Sequence, residues 1–146
     1  MEDYLADTNI ILRSAEPAHP MRKDAVNTVK SLLADGHNVF LILQNLIEFW
    51  NVATRPIDKN GFGWTTAQTD AEVARLETLL TVLPDNQAIY SEWRRLVVAH
   101  SVLGKQVHDA RIVAAMNAHK ITRLLTFNTA DFKRFSNIVL VNPTTI

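Results

Sequence analysis

Apolar positions along the chain follow two periods, and their alternation predicts its elements. Tyr4 to Ala6 is a short apolar run ending at Asp7-Thr8-Asn9, and Ile10 to Leu12 resumes apolar character. This predicts a buried strand, then a helix that stops near Glu16-Pro17. Pro17 and Pro20 bracket a loop. Val26, Val29, Leu32 and Leu33 recur at helical spacing, and Asp35-Gly36 marks the end of that helix, with Gly at C′. Val39 to Leu43 is a continuous apolar run, the pattern of a strand covered on both faces. Gln44-Asn45 ends it, and Asn45 is suited to N-cap a helix from Leu46 to Thr54 in which Glu48 takes the N3 position.

Arg55 to Trp64 carries Pro56, Gly61 and Gly63 and reads as a loop anchored by Phe62 and Trp64. Thr65 to Gln68 and Thr69 to Glu72 both match a capping box, so the next helix begins at one of them. Val73, Leu76, Leu79, Leu80 and Leu83 supply its core face, and Pro84 stops it. Asp85-Asn86 caps a further helix reaching Val102, broken by Gly104. His108 to Ala118 is again helical, with Asp109 in its first turn. Thr122 to Phe127 is a third strand, Asn128 to Asp131 a polar turn, Phe132 to Phe135 a helical turn, and Ile138 to Val141 the last strand. Strands alternating with helices predict an α/β sandwich around a mostly parallel sheet; the strand order is not legible in this pattern.

Composition narrows the class. At 146 residues, one domain burying roughly 70% of its unfolded surface is expected. Fifteen basic and fifteen acidic residues cancel, so no global field draws in a polyanion, and any nucleic acid must be held by a local patch. The absence of cysteine removes disulfides, thiolate metal sites and cysteine nucleophiles. Met1-Glu2-Asp3 lacks the features of a signal peptide, and Val39 to Leu43 is too short to cross a bilayer. A cytoplasmic protein is expected. No G-x-G-x-x-G follows the first strand and there is no P-loop, so nucleotide-cofactor chemistry lacks its phosphate cradle. A phosphoaspartate phosphatase would want an acid two residues after the first, where Asn9 stands.

The polar residues that follow the strands carry the candidate chemistry. Asp7 follows the first, Glu48 the second by a helical turn, Asn128 and Asp131 the third, and Asp109 opens the helix leading into the third. A parallel sheet brings such residues to one edge. Taken singly, Glu48 at N3, Asp109 in a first turn, Asp131 as an N-cap and Asn128 in a turn each have an ordinary capping or turn explanation. Together they form a cluster of like charge that costs several kcal/mol unless a proton is shared or a cation intervenes. Hard oxygen donors without cysteine favour Mg²⁺ or Mn²⁺.

Four segments carry a resemblance: Leu5 to Asn9, Asn45 to Glu48, Val107 to Ala115 and Leu125 to Phe132. In order and spacing they resemble the successive motifs of PIN-domain nucleases, in particular the VapC-type toxins of bacterial type II toxin–antitoxin pairs. Arg55-Pro56 with Gly61-Phe62-Gly63 is similar to a loop common in that family. The resemblance implies a PIN-like three-layer α/β/α sandwich and Mg²⁺- or Mn²⁺-dependent hydrolysis of RNA phosphodiester bonds. It implies Asp7, Glu48 and Asp109 as the main catalytic and metal-holding acids, a homodimer, and a small antitoxin that blocks the site. The chain departs from the pattern at Asn128, where many relatives carry Asp, so either Asn128 or Asp131 completes the site.

Metal activation of water makes a histidine base unnecessary, leaving His108 as a minor candidate for a general acid. Thr8 and Asn9 are candidates to orient Asp7 or hold phosphate. Arg13 and Arg55, with Arg22, Lys23, Lys59 and Arg111, are the cations nearest the strand-end edge in sequence, and Trp64 is a candidate base-stacking surface. The competing reading, supported by Asn128, is a cleavage-deficient PIN-like domain that only binds RNA or protein.

Overall fold

Four parallel pairings put the opening strand at the centre of the molecule. In the computed structural model, which describes all residues from Met1 to Ile146, β1 (Asp3–Ala6) pairs with β2 (Asn38–Ile42) on one side and β4 (Arg123–Leu125) on the other. Beyond β2 lies β3 (Thr81–Leu83), and beyond β4 lies β5 (Val139–Val141). The order is β3-β2-β1-β4-β5. The chain therefore builds outward from β1 to β3 and then crosses back to start β4 on β1's other side. The crevice at the carboxyl ends of β1 and β4 is the topological switch point, where open parallel sheets bind ligands.

Because side chains alternate faces along a strand, each face of the sheet has its own core. Leu5, Ile42 and Leu124 join Ile89 and Leu96 of α5 (Gln87–Ala99) and Ile112 to Met116 of α6 (Val107–His119). The other face carries Tyr4, Ala6, Leu41 and Leu125. Against it pack α1 (Thr8–Ser14), α2 (Arg22–Ala34), α3 (Leu43–Thr54) and α4 (Thr66–Leu79). These are three layers, helices on both sides of a parallel sheet. From Ile112 to Met116 α6 is buried at every position, as expected of a helix sandwiched between the sheet and α5. No helix is long and apolar enough to cross a membrane.

Several boundaries differ from the sequence expectation, each for a local reason. The helix after β2 begins at Leu43, not Leu46, and Asn45 lies inside its first turn. Asn45 works backwards there, its Oδ1 accepting the Ile42 N–H at 2.9 Å. Glu48 consequently sits in the second turn rather than at N3, so capping does not account for it. Leu83 belongs to β3 rather than to the preceding helix, which stops at Leu79. Apolar residues at 79, 80, 82 and 83 satisfy both periods, and pairing with Phe40 to Ile42 decided between them. Helix α5 ends at Ala99 instead of reaching Val102. Of the two capping boxes, Thr65 is the one used: its Oγ1 accepts from Gln68 N–H at 3.1 Å, and Gln68 Oε1 accepts from Thr65 N–H at 2.8 Å. Asn86 caps α5 as expected, accepting from Ile89 N–H at 3.2 Å.

Candidate active site

Asp7 leaves β1 and N-caps α1, its Oδ1 accepting the Thr8 N–H at 2.8 Å. Its Oδ2 accepts from the Thr126 hydroxyl at 2.8 Å and from Asn9 Nδ2 at 3.3 Å. Only 7% of Asp7 is exposed. Burial pushes its carboxyl up to about 6, the Thr126 and Thr8 hydrogen bonds hold it down, and the charges of Asp109 and Glu48 add to the rise.

Glu48 reaches the same crevice from the second turn of α3. The Thr8 hydroxyl donates to its Oε1 at 2.6 Å and Gln44 Nε2 to its Oε2 at 3.2 Å. Thr8 is itself held by Asn45 Nδ2 at 3.1 Å. One fully buried amide thus fixes the helix start through one end and the Thr8–Glu48 contact through the other.

Asp109 is the third residue of α6, where the helix dipole favours a negative charge. Its carboxyl is nonetheless pushed up to about 6, first by burial, then by Asp131 and Glu48, against the pull of His108 and Arg134. The helix-start explanation and the acidic cluster are therefore both true of Asp109.

The turn after β4 separates the two candidates for the fourth position. Asp131 lies within the 3-10 turn Thr129–Phe132 rather than capping it, and its charge acts on Asp109. The exposed Asn128 contributes its backbone N–H to Thr126 Oγ1 at 3.0 Å. Asn9 closes this side of the site, donating to Thr126 Oγ1 at 3.2 Å and accepting from Phe127 N–H at 3.3 Å.

Asp7, Glu48, Asp109 and Asp131 thus share one electrostatic neighbourhood, although no three His, Cys, Asp or Glu side chains stand close enough to enclose an ion as they are oriented. The donor set still suits a hard divalent cation. It is all oxygen, its members repel one another, and burial together with that repulsion raises two of them to about 6.

Three further residues belong to this site without being among the candidates the sequence offers. Thr126 is fully buried and contacts Asp7, Asn9 and the Asn128 backbone. Its signal was a hydroxyl ending the apolar run Leu124-Leu125. Gln44 donates to Glu48 and to the His108 carbonyl (2.8 Å) and accepts from Arg111 (3.1 Å). Arg134 acts on Asp109 from a position the motifs do not reach.

The expected cations fare unevenly. Arg13 is engaged by Glu16, and Arg111 by Asp85 at 2.9 Å. Arg22, Lys23, Arg55 and Lys59 enter no salt bridge. Trp64 is half-buried in an aromatic group with Phe49 and Phe62, ring centroids 6.1 and 5.2 Å away, which makes it a core anchor. His108 is exposed; its carbonyl accepts from Gln44 and its charge lowers the Asp109 carboxyl.

The fold and the site together describe a parallel α/β/α domain with clustered acids at its switch point. The PIN domain model matches residues 4–138, nearly the whole chain, and the chain belongs to the PIN domain family. No curated protein sequence matches it. Among solved structures it is similar to VapBC2 from Rickettsia felis bound to a DNA fragment from its promoter (TM-score 0.71, 18% identity, 96% of this chain and 98% of that one). It is similar also to a toxin–antitoxin complex from Klebsiella pneumoniae (TM-score 0.67, 20% identity, 96% and 97%). A third is VapC20 from Mycobacterium tuberculosis, a sarcin–ricin loop cleaving toxin (TM-score 0.61, 19% identity, 83% and 86%).

Proposed function

We propose that the chain is a Mg²⁺- or Mn²⁺-dependent endoribonuclease and the toxin of a type II toxin–antitoxin pair, acting in the cytoplasm. The observation that carries this reading is the acid cluster at the β1/β4 crevice, with Asp7 and Asp109 both raised to about 6 by burial and by neighbouring carboxylates. Such a cluster is a cost to the fold that a bound cation removes. Family membership and the toxin–antitoxin complexes among the structural relatives support the biological assignment and a small antitoxin partner. A homodimer is proposed by the same analogy.

Asp7, Glu48 and Asp109 would hold the ion, with Asp131 as the fourth acid. The ion supplies Lewis-acid activation of water and charge neutralisation at the attacked phosphate. The chain's own contribution is orientation. Thr126 and the Thr8 N–H keep Asp7 directed into the crevice, while the Thr8 hydroxyl and Gln44 keep Glu48 from swinging outward. Arg55 and Lys59 are proposed to meet the RNA backbone; Arg13 and Arg111 already serve carboxylates.

Purified protein with Mn²⁺ should cut RNA, and EDTA or Asp7→Asn should abolish cutting. Asn retains an N-cap acceptor for Thr8, so lost activity in a folded variant reports on the acid. Undiminished cleavage in either control ends the metal-acid mechanism. No cleavage at all, with no stabilisation by Mn²⁺, favours the binding-only domain.

A further inference from the structure

A second concavity opens beside the acids, between the start of α5 and the start of α6, with a volume of 430 Å³. That size lies in the range of small-ligand pockets, roughly 300–1,000 Å³. Ile89, Tyr90, Trp93 and Val107 supply its apolar lining. Tyr90 and Trp93 stand one turn apart on α5 with ring centroids 6.2 Å apart and planes inclined by 31°. The Trp93 ring is fixed by its Nε1–H, which donates to the Val107 carbonyl at 2.8 Å, whereas Tyr90 is 52% exposed.

The polar rim decides what this hollow accepts. Arg111 is its guanidinium, and that group already binds Asp85 at 2.9 Å and Gln44 at 3.1 Å. A phosphate would therefore meet a neutralised cation and a carboxylate. A flat, uncharged aromatic ring would meet the Tyr90 and Trp93 rings and the polar groups of Asp85 and Asn86. The hollow also shares a wall with the acidic crevice. His108 lines it and is followed directly by Asp109, and Gln44 joins Glu48 to both the His108 carbonyl and Arg111.

We propose that this hollow receives a nucleobase of the RNA strand next to the scissile phosphate, stacked on Tyr90 and Trp93, and so sets the cleavage preference at that nucleotide. The proposal rests on the ribonuclease reading above. Base–aromatic stacking tolerates every base, since each has a π-face; discrimination among bases comes from the Asp85, Asn86 and Arg111 edge groups.

The test begins with the metal-free wild-type chain in EDTA, following the three tryptophan indole N–H signals by NMR, with Trp93 assigned through Trp93→Phe. The four nucleoside 5′-monophosphates should shift the Trp93 signal saturably, and ribose 5-phosphate should not. Tyr90→Ala should weaken this binding by roughly 5- to 150-fold, the range for a lost aromatic stack, and Tyr90→Phe, which keeps the ring, should restore it. In metal-dependent cleavage of RNAs that differ only beside the cut, Tyr90→Ala should flatten the nucleotide preference.

Equal shifts from ribose 5-phosphate, no shift from any nucleotide, or unchanged binding by Tyr90→Ala would overturn the proposal. It would also fall if Tyr90→Ala loosened a protein partner and left nucleotide binding and cleavage preference untouched, since the hollow would then be a protein-docking site. A chain that binds nucleotides through Tyr90 but cuts no RNA would sink the ribonuclease reading and leave the base pocket standing.

Discussion

Asp7→Asn should stabilise the metal-free protein increasingly as pH rises, while removing its activity. In the folded chain burial raises the Asp7 carboxyl from its ordinary 3.8 to about 6. Between those values the native state binds the proton that the unfolded chain has released, so stability falls as pH rises through this window. The gap corresponds to about 3 kcal/mol, fully lost by pH 7. Asn carries no charge and is spared that loss. Its NH₂ group, however, faces donors from Thr126 and Asn9, which costs about 1–3 kcal/mol at every pH. The absolute effect at one pH is thus a balance, but its change with pH is not. The stability difference, variant minus wild type, should climb by about 2.4 kcal/mol from pH 4 to pH 7, or about 5–10 °C in Tm for a chain of this size. The mutual repulsion of Asp7 and Asp109 is part of the Asp7 rise and is removed with it, while the rest of the Asp109 titration is common to both proteins. The assay is thermal unfolding in EDTA from pH 4 to pH 8. Parallel Tm–pH curves would refute the argument that Asp7 is a buried, strained acid. Mn²⁺ at 100 times its Kd should stabilise the wild type by about 2.7 kcal/mol and the variant by much less.

Three further outcomes test other parts of the structure. Thr126→Val deletes the hydroxyl that holds the Asp7 carboxyl down, so the NMR titration of that carboxyl in metal-free protein should move to higher pH; an unmoved midpoint would make Thr126 only a packing residue. Gln44→Leu unties Glu48 from the His108 carbonyl and from Arg111. Losing hydrogen bonds to a charged group, about 1.5–3 kcal/mol, should lower kcat at saturating Mn²⁺ by roughly tenfold or more, and an unchanged kcat would remove Gln44 from the supporting network. Lys120 ends α6 at φ 60°, a left-handed conformation that favours glycine, so Lys120→Gly should raise stability by about 0.5–1 kcal/mol in chemical denaturation; destabilisation would mean its side chain contributes contacts that outweigh the strain.

How much of the site was legible follows from the range of the signals. Asp7 and Glu48 were visible because each follows an apolar run whose period is local, and Asp109 because it opens a helix whose apolar spacing is local. Glu48 was visible but misplaced within its helix, since Asn45 can cap forwards or bind backwards, and only the Ile42 N–H beside it decided which. The strand at Thr81–Leu83 was hidden because its apolar residues continue the helical spacing of the preceding segment, and its partner lies some forty residues earlier.

By itself the sequence determined the alternation of strands and helices, the Asn86 cap, and an acid at the end of the first strand. These are properties of neighbours within a turn or two, and local sterics and hydrogen bonding suffice for them. Tertiary structure alone decided the strand order and the union of Asp7 with Thr126, separated by 119 positions. It also decided the tie of Gln44 to Arg111, 67 positions apart. Such contacts leave no period in the chain. They exist because the chain crosses back to place β4 beside β1, and that crossing brings the ends of β1 and β4 to one crevice.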